Sequence, residues 1–298
     1  MVKKCSVCGA PNSGSKCDYC GKRIGKGGED HLTEALDLDE TLEATQQQYD
    51  HATTRASNSA SDVLSKRKNY ILISVYIAGM FILPMLIAPV VVLIRGYTVE
   101  HFHGDGFFSV LTLTNFVAYA TLCCAVLLLT HKVFKQDFQK IDSLGNFFKQ
   151  MGLGLLFTFG AAMLGNSIVF WLGTEETALN QELVESALEA MPILMIIAIV
   201  VFAPIVEEVI FRLVLMNLFN WTPIYNLIFS SLLFGLIHVL SGGLIHIVPY
   251  FLMGLVFGYF YLKHNNIWHI TILHVLHNGL TVILVFGAQR MQYVLDLY

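Results

Sequence analysis

Hydrophobic residues in this chain gather in long, nearly uninterrupted runs rather than in one-sided stripes. The runs cover about residues 70 to 94, 107 to 130, 148 to 172, 192 to 217, 224 to 240, 244 to 262 and 267 to 287. An α-helix needs roughly 20 apolar residues to cross the hydrocarbon core of a bilayer. The pattern therefore predicts seven transmembrane helices, of which the fifth and sixth are the shortest, in a multi-pass membrane domain spanning residues 67–298.

The part before the first run is polar. Residues 24–66 have no apolar stripe wide enough to bury much surface, so they are predicted to form a flexible tether. Because the first apolar run begins only near residue 70, no cleavable signal peptide is expected.

Two cysteine pairs lie in front of the tether, within residues 1–23. Cys5 and Cys8 form one CxxC motif, and Cys17 and Cys20 form another. Four thiolates in two such pairs can hold one Zn²⁺ ion tetrahedrally, and the alternative is two disulfides in an oxidising compartment. The segment resembles the short zinc ribbons at the front of many bacterial membrane proteins, which implies a structural zinc and no catalysis.

Composition and charge agree with a membrane protein. Hydrophobic residues make up 55% of the chain and charged residues 13%, with a mean hydropathy of +0.61. A formal net charge of −4, spread over the loops, does not favour a nucleic-acid partner or a generally acidic or basic substrate.

The placement of the charges predicts an orientation. Basic residues precede the first run or flank the connection between the second and third: Lys66, Arg67, Lys68, Lys132, Lys135, Lys140 and Lys149. The predicted loop 173–191 has five glutamates and no Lys or Arg. The positive-inside rule then places the N-terminus in the cytoplasm and the C-terminus outside, in the cell membrane.

Three ionisable residues interrupt the fourth apolar run. Glu208 and Arg212 are four residues apart, in the favourable order for an ion pair on one helix face. Glu207 points about 100° away from Glu208 and has no local partner. Since a charge at mid-bilayer costs on the order of 3 kcal/mol, Glu207 is predicted to face a wet cavity.

Later runs carry groups that can join Glu207. Phe234 and His238 are one helical turn apart, and so are His274 and Asn278. A carboxylate and two imidazoles from three helices can converge on a water molecule or a metal ion. The amide of Asn278 can donate to an oxygen that becomes negative in a transition state.

In this order, Glu207-Glu208-x3-Arg212, Phe234-x3-His238 and His274-x3-Asn278 resemble the CPBP intramembrane proteases. This family includes type II CAAX prenyl endopeptidases and bacterial Abi or bacteriocin-processing proteins, and the resemblance covers about residues 150–290. It implies an all-α membrane domain that encloses a catalytic cavity. It also implies an endopeptidase acting on a membrane-associated protein or peptide, such as a bacteriocin, pheromone or signalling peptide, in processing or self-immunity.

The resemblance also implies a role for each motif residue. Glu207 activates water, His238 binds or orients it, and His274 with Asn278 holds the scissile carbonyl oxygen. Glu208 and Arg212 brace the motif, and Phe234 shapes the cavity. Two versions stay open: Glu207, His238 and His274 bind Zn²⁺ or another divalent ion, or Glu207 acts as a metal-free general base.

Other functions are weighed against proteolysis. A membrane scaffold or immunity protein with a vestigial site would not need all the motif residues, and a transporter would show inverted repeats, which the sequence lacks. The basic residues around the cysteine motifs suggest contact with anionic lipid headgroups or a cytoplasmic partner. Three further membrane histidines are interpreted as packing or hydrogen-bonded residues: His246, His269 and His277.

Overall fold

The structure is a computed structural model that describes residues 64–96, 105–141, 143–173 and 179–296, and two short strands near the N-terminus. The chain divides into two compact units, Met1–Thr54 and Arg55–Tyr298. In the first unit, β1 (Lys3–Lys4) pairs antiparallel with β2 (Pro11–Asn12). The predicted ribbon cysteines and most of the predicted tether lie outside the described residues: Cys5, Cys8, Cys17, Cys20 and residues 24–63.

The second unit is helical throughout its described part, as predicted. Its helices are α1 (Lys66–Arg95), α2 (Asp105–Gln139), α3 (Leu144–Trp171), α4 (Leu179–Ala190), α5 (Pro192–Asn217), α6 (Pro223–His238), α7 (Leu244–His264) and α8 (Ile267–Asp296). Six of them, all but α4 and α6, are long and apolar enough to cross a membrane. This confirms a polytopic α-helical membrane domain.

The fifth predicted span is a helix, but it is too short to cross the hydrocarbon core. It forms α6, whose 16 residues begin at Pro223 and end at His238. At about 1.5 Å per residue such a helix is about 24 Å long, which is less than the roughly 30 Å of a hydrocarbon core. The apolar run was therefore a correct signal for a helix but overestimated the number of full-length spans.

The acidic segment predicted as a loop over residues 173–191 contains a helix, α4. Ala187 and Leu188 of α4 are buried with Met195 of α5, and Val184 packs against the same cluster. These apolar positions recur at helical spacing, so α4 can bury one face, while Glu182 and Glu189 are exposed and Glu185 is partly buried. In the sequence, the five glutamates between residues 173 and 191 obscure this amphipathic pattern.

Helix α5 departs from regular α geometry on both sides of the two glutamates. The α-helical turn Ala203–Glu208 lies between two π-helical segments, Ala198–Phe202 and Val209–Val214. Such π segments are rare and occur frequently at functional sites, because they change the direction in which neighbouring side chains point. The glutamates thus occupy a regular turn between two irregular ones.

A close contact between α3 and α7 fixes one wall of the domain. A Cβ atom built on Gly165 of α3 would lie 2.3 Å from the backbone Cα of Pro249 in α7. Backbone atoms cannot move aside as a flexible side chain can. Only glycine therefore fits at this crossing without separating the two helices.

Gly165→Ala is expected to destabilise the protein by about 1–3 kcal/mol, because it overpacks this crossing. Thermal unfolding in detergent micelles measures the change. Gly160→Ala is the matched control, since a Cβ atom at Gly160 on the same helix meets nothing within 4 Å. Equal melting temperatures for the two variants would show that the crossing is not tightly packed.

Candidate active site

The ion pair predicted within α5 is present and completely buried. Glu208 Oε2 lies 3.2 Å from Arg212 Nε, and both side chains have 0% exposure. Arg212 Nη2 donates to the backbone oxygen of Gly254 in α7 at 3.3 Å. The pair therefore ties α5 to α7 while it neutralises two of the three charges.

Aromatic rings enclose the Arg212 guanidinium. Its central carbon lies 4.5 Å from the ring centre of Phe234 in α6 and 5.5 Å from that of Phe257 in α7. The faces of aromatic rings attract cations. Phe234, predicted to shape the cavity, thus also stabilises the arginine that braces the motif.

His274 of α8 is held by the second oxygen of Glu208. Its Nδ1 atom lies 2.7 Å from Glu208 Oε1, and its ring stacks on Phe257 with the centroids 4.5 Å apart. Because a carboxylate only accepts, Nδ1 donates this bond. The ring is thereby fixed with Nε2 directed away from Glu208.

Glu207 lies beside that free nitrogen. Its Oε2 atom is 3.8 Å from His274 Nε2, which is longer than a hydrogen bond. Glu207 also lines a cavity inside the helical domain. Among the residues that the structure describes, none donates a hydrogen bond to Glu207. Its carboxylate is therefore available to a molecule in the cavity.

His238, at the end of α6, is oriented in a similar way. Its Nδ1 atom donates to the backbone oxygen of Phe234 at 2.8 Å, and its ring stacks on Tyr250 with the centroids 4.4 Å apart. This leaves Nε2 for other partners. His238 lines the same cavity as Glu207 and His274, so the structure brings together all three predicted groups.

Asn278 is one turn beyond His274 and also lines the cavity. Its Nδ2 atom donates to the backbone oxygen of Ile199, within the first π-helical segment of α5, at 2.9 Å. One amide hydrogen of Asn278 thus positions α8 against α5. The second hydrogen remains for a ligand.

These residues line one cavity of about 950 Å³. This volume is at the upper end of the range for small-molecule sites. The polar lining of the cavity also includes residues without a predicted site role: Tyr76, Asn115, Tyr119, His246 and His277. A single tyrosine or asparagine in an apolar run carries no motif that would reveal it. His277 was interpreted as a hydrogen-bonded packing residue, and it does bond Thr158 Oγ1 at 3.1 Å while also lining the cavity.

The donor types fit zinc better than the distances do. One carboxylate and two imidazole nitrogens are the ligand set of many hydrolytic zinc sites. Within the part of the chain that the structure describes, however, no three His, Cys, Asp or Glu side chains have the spacing of a metal site. The proposed mechanism therefore assigns no step to a metal, and a divalent ion bound by Glu207, His238 and His274 stays a prediction.

Known proteins match this same region. The family model described as type II CAAX prenyl endopeptidase Rce1-like matches residues 189–280, which contain every motif residue from Glu207 to Asn278. A Bacillus subtilis (strain 168) protein named "Putative membrane peptidase YdiL" is 30% identical over 193 residues, 63% of this chain and 75% of that protein.

A second relative covers less. An uncharacterized protein of Mycoplasma capricolum subsp. capricolum is 31% identical over 97 residues, 32% of this chain and 29% of that protein. No solved structure matches the chain significantly.

Proposed function

This chain belongs to the Rce1-like CAAX protease family of membrane peptidases, and on that basis we propose that it is an intramembrane endopeptidase in which Glu207 activates the attacking water. One observation carries the proposal. The Glu207 carboxylate faces a cavity inside the helical domain, unbonded by the described side chains, beside a histidine that a buried ion pair holds in place.

The reaction begins with a water molecule bound to Glu207. Glu207 removes a proton from the water as its oxygen attacks the carbon of the scissile carbonyl group. The tetrahedral intermediate then expels the amine as the C–N bond breaks, and Glu207 returns the proton to the amine nitrogen. The products are a new carboxylate and a new amino terminus, with one water consumed.

The other motif residues position the reactants. His238 Nε2 can accept the second hydrogen of the water, since its Nδ1 is occupied by the Phe234 carbonyl. The free amide hydrogen of Asn278 can donate to the carbonyl oxygen as it becomes negative. Glu208 and Arg212 act through His274, because they fix its ring and leave its Nε2 facing Glu207.

The proposed substrate is a peptide bond in a membrane-associated protein or peptide. In a bacterial member of the family, the substrate would be a bacteriocin, pheromone or signalling peptide. Its cleavage would serve either to process the peptide or to clear it for self-immunity. The second candidate is a non-proteolytic scaffold or immunity protein. Intact Glu207, His238, His274 and Asn278 on one cavity favour the enzyme, since a scaffold does not require them.

A comparison of peptide termini tests this function. Membrane and secreted peptides are sequenced from cells with the wild-type protein and from cells with Glu207→Gln, which keeps the side-chain size but removes the base. New termini that appear only with the wild-type protein support proteolysis and identify the substrate. Identical termini, with any biological effect retained by Glu207→Gln, would support the scaffold instead.

We propose that the four-cysteine ribbon holds a structural zinc ion in the cytoplasm. The basic residues around it would bind anionic lipid headgroups or an acidic partner. Purified wild-type protein is expected to contain one zinc per chain, and the double variant Cys5→Ser, Cys17→Ser none, because two of the four thiolates are lost. Elemental mass spectrometry measures the content. Zinc that survives in the double variant but disappears on adding Glu207→Gln would instead place a metal at the membrane site.

A further inference from the structure

The cavity lies toward one end of the helical domain. Its lining residues come from the later part of α3 (159–170), the first part of α5 (195–207) and the part of α8 from 274 to 285. These portions, on antiparallel neighbours, all lie toward the end where α4 connects α3 to α5. Among the described residues, no lining residue comes from the connections at the other end, 140–143, 218–222 and 265–266.

The other end of the domain is basic. There the end of α2 meets the start of α8, since Asp137 Oδ2 accepts from the backbone nitrogen of Ile267 at 2.9 Å. Basic residues near this end are Lys66, Arg67, Lys68, Lys132, Lys135, Lys140, Lys149 and Lys263. Toward the cavity end the same helices carry Arg95 and Arg290. The positive-inside rule therefore places this basic end in the cytoplasm and the cavity end outside.

An acidic side chain of α4 lies on the cavity wall at this end. Gln181, Val184, Glu185 and Leu188 of α4 line the cavity at the spacing of one helix face. Glu185 Oε1 accepts a hydrogen bond from Gln181 at 2.8 Å. Among the described residues no Lys or Arg pairs with Glu185, and the sequence from 173 to 191 contains none.

A second feature of the cavity wall is a buried hydroxyl group without a partner in the described part of the chain. Tyr76 of α1 is 7% exposed, lines the cavity and packs edge-on against Phe211 with the ring centroids 6.0 Å apart. Its hydroxyl has no hydrogen-bond partner within the described residues. A buried hydroxyl without a partner is costly, so a ligand that supplies a carbonyl oxygen, as a peptide backbone does, would satisfy it.

We propose that the cavity admits an extracytoplasmic peptide segment from the non-cytoplasmic face, and that Glu185 binds a basic residue of that segment near the cleaved bond. The inference rests on the proposed function for the cleavage itself. The side of entry and the charge preference are separate properties of the cavity wall. The substrate class is thus a cationic segment of an exported peptide or of the outer part of a membrane protein.

Thiol labelling tests the side of entry without any need for activity. Ser241 is exposed and lines the cavity, whereas Gln139 is exposed at the end of α2, at the basic end of the domain. A membrane-impermeant maleimide added to intact cells should label Ser241→Cys, and should label Gln139→Cys only after permeabilisation. Peptide mapping separates these thiols from the native cysteines. The reverse pattern, or labelling of both from one side, would overturn the inference.

Peptide cleavage tests the role of Glu185. Two pools of internally quenched decapeptides differ only in carrying Lys or norleucine at one varied position. Wild-type protein in proteoliposomes should cleave the Lys pool with about fivefold higher kcat/KM, mainly through KM, as expected for a partly exposed ion pair. Glu185→Gln should remove this preference. Glu182→Gln should keep it, because Glu182 is exposed and does not line the cavity.

The outcomes distinguish a failure of the proposed role of Glu185 from a failure of the proposed proteolysis. Equal cleavage of both pools by the wild-type protein, or a preference that survives Glu185→Gln, would overturn the role of Glu185. Cleavage of neither pool would contradict the proposed proteolysis, and the labelling result would still decide the side of entry.

Discussion

Glu207→Gln is expected to lower the rate of peptide hydrolysis by about 10²- to 10⁴-fold, the usual contribution of a general base. The amide occupies the same space but cannot take a proton from water. The measurement is the initial rate of the protein in proteoliposomes on a quenched peptide copied from the cleavage site found in cells. Since the loss is chemical, it should appear mainly in kcat.

Two controls make this result specific to the base. Glu182→Gln makes the same chemical change on the exposed side of α4 and should leave the rate within about twofold, as surface substitutions have small effects. The melting temperature of Glu207→Gln should match that of the wild-type protein, because Glu207 has no described hydrogen bond to lose. Full activity in Glu207→Gln would remove this residue from the mechanism.

Arg212→Met is expected to destabilise the protein by about 3–5 kcal/mol, because it leaves the buried Glu208 carboxylate without its cation. Both partners are fully enclosed, so water cannot replace the lost charge. Chemical unfolding in detergent micelles measures the change. Arg67→Met is the matched control, since Arg67 is exposed at the start of α1 and should cost little.

A second variant separates stability from activity. Glu208→Gln combined with Arg212→Met removes both charges and should recover most of the lost stability, as neutral replacements of buried pairs often do. Its rate of peptide hydrolysis should stay below that of the wild-type protein, because His274 Nδ1 loses the carboxylate that orients its ring. A double variant as unstable as Arg212→Met would show that packing, rather than the unpaired charge, causes the loss.

The sequence predicted best those features that depend on residues close to one another in the chain. Apolar runs predicted the helices because a membrane-crossing helix satisfies its own backbone. The pairing of Glu208 with Arg212 followed from their separation by four residues, and the three motifs identified the helices that meet at the cavity. The cysteine ribbon and the N-terminal orientation remain predictions.

Features that depend on packing between distant helices could not be predicted. No local sequence signal indicates the π-helical segments of α5, one of which presents the Ile199 oxygen to Asn278. Tyr76 belongs to α1, far in sequence from the motifs, and in an apolar run it resembles an interfacial aromatic residue. Helix α4 was predicted as a loop because its glutamates mask the apolar positions of one helix face.

The path of the water oxygen distinguishes direct attack by water from a covalent intermediate on Glu207. Purified protein and its peptide substrate are mixed in H₂¹⁸O under single-turnover conditions, and both are analysed by mass spectrometry. If Glu207 activates water for direct attack, the new carboxylate of the product carries ¹⁸O and the peptide containing Glu207 carries none, while Glu207→Gln forms no labelled product. Label in Glu207 would indicate a covalent intermediate instead, and product formation by Glu207→Gln would contradict the proposed mechanism.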